Sequence, residues 1–135
     1  MTQLTIVRGL PGAGKSTYAK TVKAMHFESD MFFEDHLGKY EYNRNLIGAA
    51  HDWCYGHVVK CLMYGFDVVV SNTFCAEWEM EKYLNLPNLM PEVELHVVEL
   101  HTQYGSIHGV PDEAVERMKA RWFNLPDHYC VKVIK

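Results

Sequence analysis

Apolar and polar positions alternate in short blocks along the chain. Residues 3–8 (QLTIVR) make an apolar-rich run that stops at Gly9 and read as a strand. Residues 15–24 read as a helix, and 25–29 (MHFES) as a short second strand ending near Asp30. Residues 31–44 mix aromatic and polar side chains around Gly38 and read as a loop. A long helix is expected over 45–64, because Leu46, Ala50, Trp53, Cys54, Val58, Cys61 and Leu62 recur at the spacing of one buried face. Gly65 follows where a C-terminal cap belongs. Residues 66–71 (FDVVVS) are a continuous β-branched run, the pattern of a strand covered on both faces. A helix over 76–84, a strand over 92–100, a loop over 101–110, a helix opened by Pro111 and a short strand within 129–134 complete the series. Strands alternating with helices predict an α/β fold, with about four or five mainly parallel strands flanked by helices. Ligands in such sheets bind beyond the carboxyl ends of the strands, so 9–16, 29–36, 71–75 and 100–109 are the candidate site.

Length and composition narrow this picture. With 135 residues, 48% of them apolar and 22% charged, the chain is expected to be one globular domain, 1–135, with a core of its own. Disordered and collagen-like classes are excluded by the same figures. Thirteen basic against seventeen acidic residues leave a formal charge of −4, which argues against non-specific clinging to nucleic acid or anionic membrane. A local basic groove is compatible with that total. The arginines are Arg8, Arg44, Arg117 and Arg121, so bidentate phosphate clamps are few. The cysteines (54, 61, 75 and 130) form no Cys-x-x-Cys pair, the N-terminus lacks signal-peptide character, and no apolar run is long enough to span a membrane. A cytoplasmic location with reduced thiols is therefore expected, in the host cytoplasm for a phage-encoded chain.

The strongest chemical signal is Gly9-Leu10-Pro11-Gly12-Ala13-Gly14-Lys15-Ser16, which satisfies G-x-x-x-x-G-K-[ST] between a strand and a helix. Its glycines let the backbone wrap a polyphosphate with N–H groups turned inward, and the next helix presents its positive end. Lys15 supplies a mobile positive charge for the β- and γ-phosphates, and the Ser16 hydroxyl is a ligand for Mg²⁺. A P-loop NTPase or kinase fold follows, with ATP and Mg²⁺ as expected ligands. Gly9, Pro11, Gly12, Ala13, Gly14, Lys15, Ser16 and Thr17 are the expected nucleotide-binding residues. The loop leaves three outcomes open: transfer to a small molecule, transfer to a polymer, or hydrolysis coupled to a conformational change.

Further segments carry a family resemblance: RGLPGAGKSTYAK at 8–20, ESDMFF at 28–33, GKYEYN at 38–43, AAHDWC at 49–54, VVVSNTF at 68–74, EWEMEKY at 77–83 and HGVPDEAVERMKARW at 108–122. In this order and spacing the chain resembles the kinase domain of polynucleotide 5′-kinases of bacteriophage and animal type, within the wider P-loop kinases. The resemblance implies that Asp30 accepts the proton of the acceptor hydroxyl, and that the acceptor belongs to a nucleic acid or nucleotide. It also exposes departures. The family commonly ends its third strand with an Asp that helps hold Mg²⁺ or its waters, where this chain has Ser71-Asn72-Thr73-Phe74. Phage members grip the acceptor's phosphate with an Arg where Phe33 stands; an aromatic there would stack on a base instead. The lid segment HTQYGSIHGVP contains no arginine, only His101 and His108.

Other candidates stand beside structural readings. Arg117 and Arg121 share a helix face and would swing charge toward the γ-phosphate, or pair with Glu113 and Glu116. Tyr40, Tyr42 and Arg44, with Asn72 and Thr73, are candidate substrate contacts; core packing and a strand-closing turn are the alternatives. Cys54, His57 and Cys61 could hold a metal, yet the same stripe is the core face of the long helix. His51 reads as a helix-surface histidine, and Arg8 as structural or peripheral. A kinase acting on a hydroxymethylated base or a small metabolite, and a nucleotide-gated binding module, are the other functional readings.

Overall fold

The computed structural model describes residues 1–34, 38–101, 112–126, 128–129 and 131–135. Five strands, β1 (Thr2–Gly9), β2 (Met25–Phe27), β3 (Val68–Asn72), β4 (Val93–Leu100) and β5 (Val131–Ile134), form one sheet in the order β2-β3-β1-β4-β5. Every pairing is parallel. β1 is central, setting Leu4 beside both Val68 of β3 and Leu95 of β4.

Alternation along the strands divides the core between two layers. Leu4, Ile6, Val68, Val70, Val93 and Val97 face helices α2 (Ile47–Met63), α3 (Glu77–Leu84) and α4 (Leu86–Leu89). Val7, Val69, Val98 and Leu100 face Ala13 and Ala19 around α1 (Lys15–Ala19). The unbroken apolar run of β3 is thus buried on both sides, as parallel topology requires. α5 (Asp112–Ala120) carries no fully buried residue.

Several boundaries differ from the sequence pattern. α1 ends at Ala19 rather than residue 24, because the Thr21 hydroxyl bonds the Tyr18 carbonyl at 2.6 Å and competes with helical pairing. β2 stops at Phe27, and Ser29–Phe33 winds into a 3-10 turn inside the expected loop. α2 begins at Ile47 after a 3-10 turn over Arg44–Leu46, so Leu46 lies outside the α-helix and is exposed. Its buried stripe is Ala50, Cys54, Val58 and Leu62. At its other end Gly65, at φ +84°, completes a Schellman cap: the Gly65 N–H bonds the Leu62 carbonyl and the Phe66 N–H the Cys61 carbonyl, each at 3.0 Å. At the start of α3, Glu79 reaches back to accept from the Ala76 backbone N–H at 2.8 Å.

Candidate active site

The site assembles at the carboxyl edge of the sheet. β1 ends at Gly9, and the chain turns at once because no side chain fits there. A Cβ on Gly9 would lie 3.0 Å from both the Ala13 Cβ and the Leu100 carbonyl oxygen. Gly12 and Gly14 take φ values of +85° and +88°, a region costly for other residues. The Ala13 N–H closes the turn on the Leu10 carbonyl at 3.0 Å, and α1 starts directly at Lys15. Pro11 and Ala13 are buried beneath the loop, and Thr17 is exposed.

Lys15 folds back over this loop, its Nζ donating to the Leu10 carbonyl at 3.0 Å. Burial pushes its ammonium down to about 8, against the opposing pull of the Glu28 and Asp30 carboxylates. That pull places both acids within electrostatic reach of the lysine. Asp30 sits in the 3-10 turn after β2, and Tyr40 Oη donates to its Oδ1 at 3.4 Å. Burial, then the Asp30 charge, pushes the Tyr40 phenol up to about 12.

The aromatic candidates divide. Tyr40 and Tyr42 are exposed, at 37% and 55%. Phe33 is only 7% exposed and packs edge-on against Phe32, Tyr40 and Tyr42. Its ring is thus largely enclosed by its aromatic neighbours. Asn72 is likewise engaged inside the protein, its Oδ1 accepting from the Ser29 backbone N–H at 2.8 Å. Thr73 is half-buried beside it, and Arg44 is exposed on its turn. Arg117, on α5, and Arg121, just beyond it, are exposed; of their expected acidic partners, Glu116 pairs with Lys119 at 3.2 Å. Lid residues 102–111, including His108, lie outside the described residues.

Glu28, His26 and Ser29, not singled out in the sequence, join the same edge, as does His51, read from the sequence as a helix-surface histidine. Glu28 accepts from the Ser16 hydroxyl, and from the Ser71 hydroxyl at 3.0 Å; His26 Nε2 lies 3.0 Å from the same carboxylate oxygen. His51 Nδ1 meets Ser29 Oγ at 3.1 Å, and burial lowers the His51 imidazole. Glu28 stands two residues before Asp30 at a strand end, the one local signal that marks it.

Arg8, read as structural or peripheral, is fully buried. Its Nε and Nη2 donate to the Phe74 carbonyl at 3.1 and 2.7 Å, Nη1 meets Glu99 at 3.4 Å, and its guanidinium lies 3.7 Å from the centre of the Trp122 ring. Phe74 holds φ +48° under this grip. Cys54 and His57 are used in packing, Cys54 in the core and His57 stacked on Phe27 and tilted against Trp53. Among the described residues no three His, Cys, Asp or Glu side chains group to hold a metal. A cavity of about 590 Å³ lies between α3 and Phe123, Pro126, His128 and Tyr129, and none of its lining residues belongs to the phosphate loop.

A family model described as an AAA domain matches residues 4–121. The chain belongs to that AAA-domain family. This AAA domain is 26% identical over 129 residues to NEDD4-binding protein 2 of Homo sapiens; the match covers 85% of the chain and 7% of that much longer relative. Among solved structures it is similar to a sugar kinase from Janibacter sp. HTCC2649, with a TM-score of 0.68 and 14% identity over 99% of this chain and 85% of that one. It is also similar to a chain of the Pnkp1/Rnl/Hen1 RNA repair complex, with a TM-score of 0.57 and 16% identity over 93% of this chain and 40% of that one. At such identities the likenesses speak to the fold, which is the α/β P-loop NTPase fold. Among the described residues no helix is long and apolar enough to cross a membrane.

Proposed function

We propose that this AAA domain is an ATP-dependent phosphotransferase that moves the γ-phosphate to a hydroxyl of a nucleic acid or nucleotide. The observation that carries the reading is that Asp30, in the 3-10 turn after β2, lies within electrostatic reach of Lys15 on the phosphate loop after β1. A cation for the donor phosphate and a base for the acceptor hydroxyl thus stand together.

The backbone N–H groups of the phosphate loop, other than at Pro11, which has none, and Ala13, which bonds Leu10, would bind the phosphates together with the Lys15 ammonium. Asp30 takes the acceptor's hydroxyl proton as the new O–P bond forms and the bond to the ADP oxygen breaks. Tyr40, bonded to Asp30, orients that carboxylate. Exposed Tyr40, Tyr42 and Arg44 offer an acceptor rings and one guanidinium, and exposed Arg117 and Arg121 would swing charge toward the γ-phosphate. Mg²⁺ fits the donor set, since Ser16 and the adjacent Glu28 present hard oxygens, and when bound it would neutralise phosphate charge.

The test is transfer of labelled γ-phosphate from ATP to 5′-OH DNA, 5′-OH RNA, DNA with hydroxymethylated bases, free nucleosides and sugars. Label on a polynucleotide or nucleoside, lost in Lys15→Ala and Asp30→Ala, supports the reading. Label on sugars alone replaces it with a small-metabolite kinase. ATP binding without label on any acceptor refutes it in favour of a nucleotide-gated binding module.

A further inference from the structure

The sheet register that sets Phe27 beside Val70 carries the next residues, Glu28 and Ser71, into contact. One carboxylate oxygen, Glu28 Oε1, accepts from Ser71 at the end of β3 and from Ser16 in the first turn of α1. His26 Nε2 lies 3.0 Å from that oxygen and 2.8 Å from Ser71 Oγ. The Glu28 side chain is 16% exposed. Burial pushes its carboxyl up, but the hydrogen bonds of His26, Ser16 and Ser71 outweigh burial and hold it below the ordinary range. Ser16, Ser71 and His26 thus orient this carboxylate against the one side-chain hydroxyl that the phosphate loop offers a cation.

We propose that Glu28 is the carboxylate that positions the divalent cation of the bound nucleotide, directly or through its water shell, with Ser71 and His26 holding it in place. The acid at the strand ends of this chain would then come from β2, and the neutral hydroxyl ending β3 becomes its support. Mg²⁺ is bound by one or two carboxylates together with phosphate oxygens and waters, and neighbours that orient such ligands contribute strongly to metal affinity. A carboxylate already bonded to the Ser16 hydroxyl is next to any cation that hydroxyl holds. This inference rests on the nucleotide-binding part of the proposed function, and on no particular acceptor.

The experiment is calorimetric binding of a non-hydrolysable ATP analogue, once with Mg²⁺ and once with EDTA. It compares wild type, Glu28→Gln, and the exchange Glu28→Ser with Ser71→Asp. With Mg²⁺, Glu28→Gln should lose about 10–100-fold in affinity. With EDTA it should bind at least as tightly as wild type, because a negative charge near Lys15 is gone. The exchange should restore the Mg²⁺ dependence by returning a carboxylate to β3. An equal loss in both arms would show that Glu28 only ties the strands together and overturns the proposal, as does an unchanged Mg²⁺ dependence. If Glu28→Gln does not fold, the exchange variant decides by the same ratio. Failure of wild type to bind the analogue in either arm strikes instead at the nucleotide reading.

Discussion

The Arg8 clamp lends itself to a quantitative perturbation. Arg8→Met keeps the apolar stem and removes the guanidinium. The Phe74 carbonyl then loses both of its side-chain donors, the Trp122 face loses its cation, and Glu99, whose side chain is only 11% exposed, loses its buried partner. Removing one member of a buried ion pair costs about 3–5 kcal/mol, most of it from the charge left behind. Glu99 retains His101 Nε2 at 3.1 Å, which argues for the lower end, about 3 kcal/mol. With a urea slope of about 1–3 kcal/mol/M, the unfolding midpoint should fall by about 1–3 M. Urea titrations followed by tryptophan fluorescence and by far-ultraviolet dichroism measure this. Adding Glu99→Gln should recover about 1 kcal/mol or more, since no charge is then stranded. The reasoning fails if the single variant loses less than about 0.3 M in midpoint, or if the two substitutions are simply additive.

Four further outcomes are expected. The Lys15 ammonium, lowered to about 8 by burial, regains its preference for charge beside a polyphosphate, so nucleotide binding above that pH takes up a proton. Affinity should fall by up to about tenfold per pH unit above about 8, and a flat profile from pH 7 to 9.5 contradicts this. In the free protein the same depressed value means that the unfolded chain binds more protons between about 8 and 10.5. This group's contribution to stability therefore rises with pH across that window, which melts in a pH series will show. Gly9→Ala drives a methyl against the Leu100 carbonyl and should cost about 1–3 kcal/mol on thermal melting, together with loss of nucleotide binding. Asp30→Asn should slow phosphoryl transfer by about 100- to 10,000-fold in single-turnover assays, with analogue binding retained.

Local sequence carries some features of this molecule, and long-range register carries the others. The phosphate loop is readable because steric demands on glycine and the need for one lysine leave little freedom of choice. β3 is readable because burial on both faces favours the unbroken Val68-Val69-Val70 run, although its observed bounds are Val68–Asn72 rather than 66–71. The end of α1 is less visible, since Thr21 breaks the helix through a hydroxyl bond that helical spacing does not encode. Phe33 has the composition of a stacking residue; only the return of the chain past Tyr40 and Tyr42 buries it. Glu28 and Ser71 are 43 residues apart, and nothing in either segment alone pairs them. Arg8 reads from the sequence as structural or peripheral, and strand alternation sets it on the face of Leu4 and Ile6, where the Phe74 carbonyl and Glu99, distant in sequence, hold it.

The central position of β1 has a consequence for synthesis. β1 leaves the ribosome ahead of both neighbours, yet its pairing sets Leu4 against Val68 and Thr2 against Val93. At about 5–20 residues per second, roughly 90 intervening residues hold its second edge open for on the order of 5–20 s. During that interval the apolar TIVR segment has no sheet to join, and closing so long a loop adds its own entropic delay. The strand that delivers the phosphate loop is therefore also the nascent chain's most exposed sticky edge, where a holding chaperone would have most to do.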